Sequence, residues 1–155
     1  MDLAGIRERI DEMDACVFGA MSRRQAHPRS LSFYEHNMNM LNALGYNTAT
    51  FGAYASILDT LCRDGESNAY ESILAADIRL QRLVDERVDF GVHVADAKKA
   101  AGLPIFDRQR ELQVLGKARE HCSVLGISAE DSDRIVDCFG KIIEYTKAVE
   151  LAISP

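Results

Sequence analysis

The sequence predicts an all-α fold, and three observations point to it. Apolar residues recur at three- and four-residue spacing along most of the chain, which is the period of one helix face. The longest β-branched runs fall inside that periodicity, and there is no Asn-Gly hairpin signal. Breaks containing proline or glycine separate the periodic stretches, at His27-Pro28, Gly45, Arg63-Asp64-Gly65, Gly102-Leu103-Pro104 and Gly126.

The first helix is expected over residues 3–24. Leu3, Ile6, Ile10, Met13, Val17 and Met21 form its stripe, and Arg7, Glu8, Arg9, Asp11, Glu12 and Asp14 fall largely off it. His27-Pro28 ends it, because proline disfavours a helical residue before it. A weaker pattern over 32–44 (Phe33, Met38, Leu41, Leu44) stops at Gly45. A third helix over 48–62, capped by Asn47 or Thr48, buries Phe51, Tyr54, Leu58 and Leu61. Both read as packing helices. Ser67 or Asn68 then opens a helix that runs to about Ala101, with Leu74, Ile78, Leu83, Val84, Val88 and Val94 as its apolar surface and no proline inside. Such length exceeds the usual globular helix and suits a scaffold for a partner or a second copy. Asp107 caps the next helix, whose buried side is Leu112, Leu115, Ala118 and Cys122 and which Gly126 stops. Ser128, with Asp131 three residues on, opens the last.

With 155 residues, 47% apolar and 27% charged, the chain reads as one soluble globular domain, residues 1–155, able to bury a core. A net charge of −6 argues against a nucleic-acid surface, which needs a clustered Lys/Arg excess. The start, MDLAGIRERIDEMD, carries a charge every few residues, so neither a signal peptide nor a membrane span is expected there. Cys16, Cys62, Cys122 and Cys138 form no CxxC pair and have no His at zinc-ligand spacing. They read as reduced, buried thiols of a cytoplasmic protein, with no metal site. His27, His36, His93 and His121 are scattered and read as surface or packing residues.

Polar residues on two helices carry the functional reading. Arg87 and Lys98 stand eleven residues apart, so on a helix they project from one face about 16 Å apart, with Gly91, Val94 and Ala95 between them. Two cations separated by small side chains outline either a solvated face or a cavity for a small anion with more than one negative group. On the last helix the stripe Ile135, Val136, Phe139, Ile142, Ile143 continues into Thr146, Val149, Glu150 and Ile153. A lone buried carboxylate is costly unless paired, hydrogen-bonded or protonated. Either the stripe surfaces at its C-terminal end, or Thr146 and Glu150 line the cavity that Arg87 and Lys98 enclose.

Together these residues resemble the all-helical class of chorismate mutases. That family's Arg, Lys eleven residues later, Pro-containing break and Asp-x-x-Arg-Glu are matched by Arg87, Lys98, Pro104, Asp107, Arg110 and Glu111. Its Ser/Thr and Gln/Glu four apart on the final helix are matched by Thr146 and Glu150, so the resemblance covers about residues 77–150. The family's first helix opens Leu-Arg-x-x-Ile-Asp-x-(Leu/Ile/Met)-Asp, and that Arg crosses into the partner subunit's site. Here Tyr70 stands at the corresponding place before Arg87, and the motif appears instead as Ile6-Arg7-Glu8-Arg9-Ile10-Asp11-Glu12-Met13-Asp14. Arg24 follows Arg7 by seventeen residues, but Glu35 stands where the next Lys would be. Two architectures account for this. One is an internally duplicated pseudo-dimer, with 1–66 a degenerate first copy and 67–155 the site-bearing copy, and this is the one expected here. The other is a homodimer whose N-terminal helices an insertion has rearranged. Arg7 is the crossing arginine in both.

The resemblance implies an isomerase of aromatic amino-acid biosynthesis in the shikimate pathway, turning chorismate into prephenate without cofactor or metal. It implies Arg87 and Arg7 on the substrate carboxylates and Lys98 on the ether oxygen and neighbouring carboxylate. Asp107 and Glu111 would hold the ring hydroxyl with Arg110 orienting them, Thr146 would help at a carboxylate, and Glu150 in protonated form would donate to the ether oxygen. More distantly, the chain resembles isochorismate-pyruvate lyases and mutases of 4-amino-4-deoxychorismate. A non-catalytic helical regulatory or interaction module is the alternative outside enzymes.

Overall fold

A computed structural model describes residues 3–29, 43 and 56–153. The expected helix over 32–44 and the start of the one over 48–62 lie outside the described residues, apart from Ala43. Four long helices carry the architecture: α1 (Leu3–Gln25), α2 (Tyr70–Ala100), α3 (Arg108–Val124) and α4 (Ala129–Ile153). A helical segment at 56–61 precedes α2, and no strand forms among the described residues beyond an isolated bridge between Arg29 and Asp64. The fold is therefore an all-α bundle.

Local chemistry sets the helix ends. Asp107 accepts the backbone N–H of Arg110 at 3.1 Å and starts α3, and Ser128 Oγ accepts that of Asp131 at 3.2 Å and starts α4. Gly102 and Gly126 take left-handed φ values of 70° and 69°, which lets the amide three residues past each helix fold back onto an open carbonyl, Leu103 onto Lys98 and Ile127 onto Cys122. The start of α2 differs from expectation. It begins at Tyr70 with no side-chain cap, because the Ser67 hydroxyl is used one step earlier, accepting from the amide of Ala69.

α1 lies along α2, α2 packs on α4, and α3 packs on α4 and α1. Val17 and Met21 of α1, Leu80 and Val84 of α2, and Ile135, Phe139 and Ile142 of α4 meet in one core, joined by Ile57 and Leu61 from the 56–61 segment. Phe18 meets Phe139 edge-on with ring centroids 4.7 Å apart. Three expectations are corrected here. Leu112 is 53% exposed, and Val114, with Ala118 and Cys122 at successive four-residue steps, forms the buried side of α3. Cys16 is exposed, whereas the other three thiols are buried and all four are free. Asp14, placed off the stripe of α1, is 2% exposed, as are Arg24 and Asp77.

Those charges are buried because they meet across the α1–α2 interface. Arg24 Nε donates to Asp77 Oδ1 at 2.6 Å, and Arg87 Nε donates to Asp14 Oδ1 at 2.6 Å. Asp77 follows Asp14 by 63 residues, and Arg87 follows Arg24 by the same 63. Each helix thus gives the other the same acid and the same base, the reciprocal pattern of a two-fold interface. The same offset pairs the buried Ile10 with Ile73 and Val17 with Leu80.

Candidate active site

One cavity of about 90 Å³ brings together all eight polar residues singled out in the sequence: Arg7 of α1, Arg87 and Lys98 of α2, Asp107, Arg110 and Glu111 at the start of α3, and Thr146 and Glu150 of α4. Ile10, Val94, Phe106, Val114 and Ile143 supply its apolar wall. The site forms because α2 and α4 approach closely at Gly91. A Cβ there would clash with Thr146 Cγ2 and lie 3.3 Å from Glu150 Oε1. Gly91→Ala is accordingly expected to lower stability by about 1–3 kcal/mol, the usual penalty for overpacking, and to reduce turnover by pushing Thr146 and Glu150 outward. Thermal unfolding checks this, and adding Thr146→Ser, which deletes the clashing methyl, should restore most of the loss.

The cations are held differently from one another. Arg87 is buried with Nε on Asp14, and its Nη1 borders Gly91 in the cavity wall. Lys98 Nζ donates to the carbonyl of Ile105 at 3.2 Å. Burial, then the nearby charge of Arg7, push the Lys98 ammonium below its ordinary pKa, while Asp107 and Glu150 resist. Arg7 reaches Asp107, with Nη2 3.8 Å from Oδ2, and its buried Nε has no hydrogen-bond partner among the described residues. This arginine comes from the same chain as the rest of the site.

The acids are likewise distinguished by their neighbours. Glu111 is gripped on both oxygens, by Lys147 Nζ at 2.5 Å on Oε1 and Arg108 Nη1 at 3.2 Å on Oε2. Lys147 also faces the Phe106 ring, 5.7 Å from its centroid, and the hydrogen bond it donates to Glu111 raises its pKa. Sequence reasoning missed Lys147, whose partners lie on another helix. It also gave Arg110 the task of orienting Asp107 and Glu111. Its guanidinium instead pairs with Asp11 at 2.8 Å, and only its backbone amide meets Asp107. Burial works to raise the pKa of Asp11, but hydrogen bonds from Lys117 and Arg110 outweigh it and hold it low.

Burial favours the protonated form of Glu150. Burial raises its pKa above the usual carboxylate value against the pull of Lys98, Arg87 and Lys147. The Thr146 hydroxyl donates to its own helix at Ile142 O, 2.8 Å away. The last-helix stripe therefore enters the cavity rather than surfacing.

Such a site can hold a small dianion between guanidiniums and place an ammonium and a carboxyl group at its other end. Among the described residues no group of His, Cys, Asp or Glu is placed to hold a metal ion, and no helix is long and apolar enough to cross a membrane. Residues 69–151, taking in α2, α3 and nearly all of α4, match the family described as chorismate mutase type II. No curated protein and no solved structure matches the chain. The matched span is more than half of the 155 residues and includes seven of the eight cavity residues above, all but Arg7. The chain belongs to the chorismate mutase type II family.

Proposed function

We propose that this protein converts chorismate to prephenate by a Claisen rearrangement, in which the bond between the ring carbon and the ether oxygen breaks as a C–C bond forms within one molecule. One observation carries the reading: cations from α1 and α2 and acids from α3 and α4 line a single cavity. An intramolecular rearrangement needs its folded conformer held and the charge on the ether oxygen stabilised, and it needs no nucleophile. Arg87 and Arg7 take the carboxylates. Arg7 is 40% exposed and 3.8 Å from Asp107, so a substrate carboxylate can replace Asp107 as its partner while the cavity opens. Lys98 and protonated Glu150 converge on the ether oxygen. Asp107 and Glu111 hold the ring hydroxyl, and Thr146 assists at a carboxylate. Arg110, through Asp11, fixes α1 against α3 and so steadies Arg7.

The surroundings of Glu111 bear on which relative of chorismate is taken. With Lys147 and Arg108 already on its oxygens, a neutral ring hydroxyl suits it better than the ammonium of an aminated substrate. Incubation with chorismate, isochorismate and 4-amino-4-deoxychorismate tests the proposal, and prephenate from chorismate is the expected product. Release of pyruvate, or no turnover of any of the three, would overturn it, the last outcome in favour of a regulatory module.

Only protonated Glu150 can donate, so activity should decline as pH rises through its raised pKa. Glu150→Gln, which donates at any pH, should flatten that limb in a pH–kcat profile. A wild-type rate that stays level over the same range would remove Glu150 from this role.

The proposal takes the chain as an internally duplicated pseudo-dimer. The reciprocal ion pairs of α1 and α2 and their common offset of 63 residues support it. Tyr70 and Glu35 stand where the second copy of the site would need Arg7 and Lys98, so each chain carries one working site.

A further inference from the structure

We propose that Asp14 is a positioning residue that aims Arg87 into the cavity from across the α1–α2 interface, an inference that rests on the chorismate reading above. The two reciprocal ion pairs share their chemistry and their 2.6 Å Nε–Oδ1 contact, and they differ in what the rest of the guanidinium does. Arg24 spends Nη1 on backbone, donating to His27 O at 3.0 Å and Pro28 O at 3.4 Å, and it does not line the cavity. Arg87 gives the protein only its Nε among the described residues, and its Nη1 side borders the cavity at Gly91.

An arginine held through Nε alone presents both Nη groups as a fork, the face that grips a carboxylate bidentately. The hold is a buried one. Asp14 is 2% exposed, and its Oδ2 is buried with no hydrogen-bond partner among the described residues. A buried pair of this kind adds little net stability relative to apolar packing, and beside the cavity it also sets where the Arg87 guanidinium points. The carboxylate cancels part of the guanidinium's charge. In exchange it fixes the direction of the fork, and misplacement of a positioning group by about 1 Å can lower a rate about a hundredfold.

The distant pair supplies the control. Chorismate kinetics and thermal unfolding would be measured for wild type, Asp14→Asn, Asp14→Ala and Asp77→Asn, and for Asp14→Asn added to Arg87→Ala. Asp14→Asn should lower kcat/KM by about ten- to a hundredfold, with Asp14→Ala at least as severe. Asp77→Asn should destabilise comparably yet leave kcat/KM within about threefold, since it orients no cavity group. In the Arg87→Ala background the Asp14 change should cost less than about twofold, because its effect passes through Arg87. Should Asp14→Ala fail to fold, Asp14→Asn, which keeps the shape and an acceptor for Nε, carries the result. Equal kinetic losses with and without Arg87, or Asp14→Asn matching Asp77→Asn in both measurements, would overturn the inference alone. A wild-type protein inactive on chorismate would overturn the functional reading and this inference with it.

Discussion

Replacing Lys98 by alanine is expected to lower kcat for prephenate formation by about 10²–10³-fold, the usual loss when one donor to developing negative charge is deleted. The melting temperature should stay within a few degrees of wild type. The asymmetry follows from where the ammonium sits. Its one protein hydrogen bond among the described residues goes to the carbonyl of Ile105, which lies in the loop before α3 and is partly exposed. Burial and the charge of Arg7 already work against the ammonium, so its removal also relieves an unfavourable interaction. A charge kept under those conditions is what the proposed role of Lys98 at the ether oxygen requires. Thr146→Ala should be milder, because the Thr146 hydroxyl is committed to its own helix at Ile142 O. Steady-state kinetics of the two variants decide the order. A Lys98→Ala enzyme within tenfold of wild type would remove Lys98 from the ether oxygen.

Much of this site could be read in the sequence, since its spacing is a property of single helices. Eleven residues on one helix put Arg87 and Lys98 on a common face, and four put Thr146 and Glu150 on another, whatever else the chain does. The caps at Asp107 and Ser128 and the left-handed glycines at 102 and 126 were legible for the same reason. Pairing between helices was not. The amphipathic period assigns charged residues to solvent, so it puts Asp14 off the buried stripe, although Asp14 finds its counter-charge on the facing helix, and it gives no sign that Arg24 and Asp77 pair there. The apolar surface expected for α2, Leu74, Ile78, Leu83, Val84, Val88 and Val94, is met in part. Its three valines are buried and Ile78 and Leu83 pack against the core, but the buried row also includes Ile73, Asp77, Leu80, Gln81 and Arg87, whose polar members the pattern discounts. Lys147 and Arg110 show the same limit, because their partners Glu111 and Asp11 lie on other helices. Arg7 could be named as the crossing arginine from its motif, but only the packing of α1 on α2 and α3 brings it to a site made by its own chain.

The Arg24–Asp77 pair leads to the largest expected change in stability. Arg24→Met should cost about 3–5 kcal/mol of unfolding free energy, the range seen when one member of a buried ion pair is removed and the other stays behind in low dielectric. Asp77 is 2% exposed and would lose a 2.6 Å charge-assisted contact, and the carbonyls of His27 and Pro28 would lose a donor. Folded enzyme should keep its activity, since Arg24 does not line the cavity. Adding Asp77→Leu should then recover most of the loss, because two apolar side chains of similar size pack without any charge to desolvate. Urea unfolding of the single and double variants measures both steps. A single-variant loss below about 1 kcal/mol would mean that water reaches Asp77 and that the interface is looser than its burial implies. If the double variant recovers, the α1–α2 interface can do without one of its two reciprocal charge pairs as packing. The other pair holds the same acid and base at the same distance, and what distinguishes it is that its arginine opens onto the cavity.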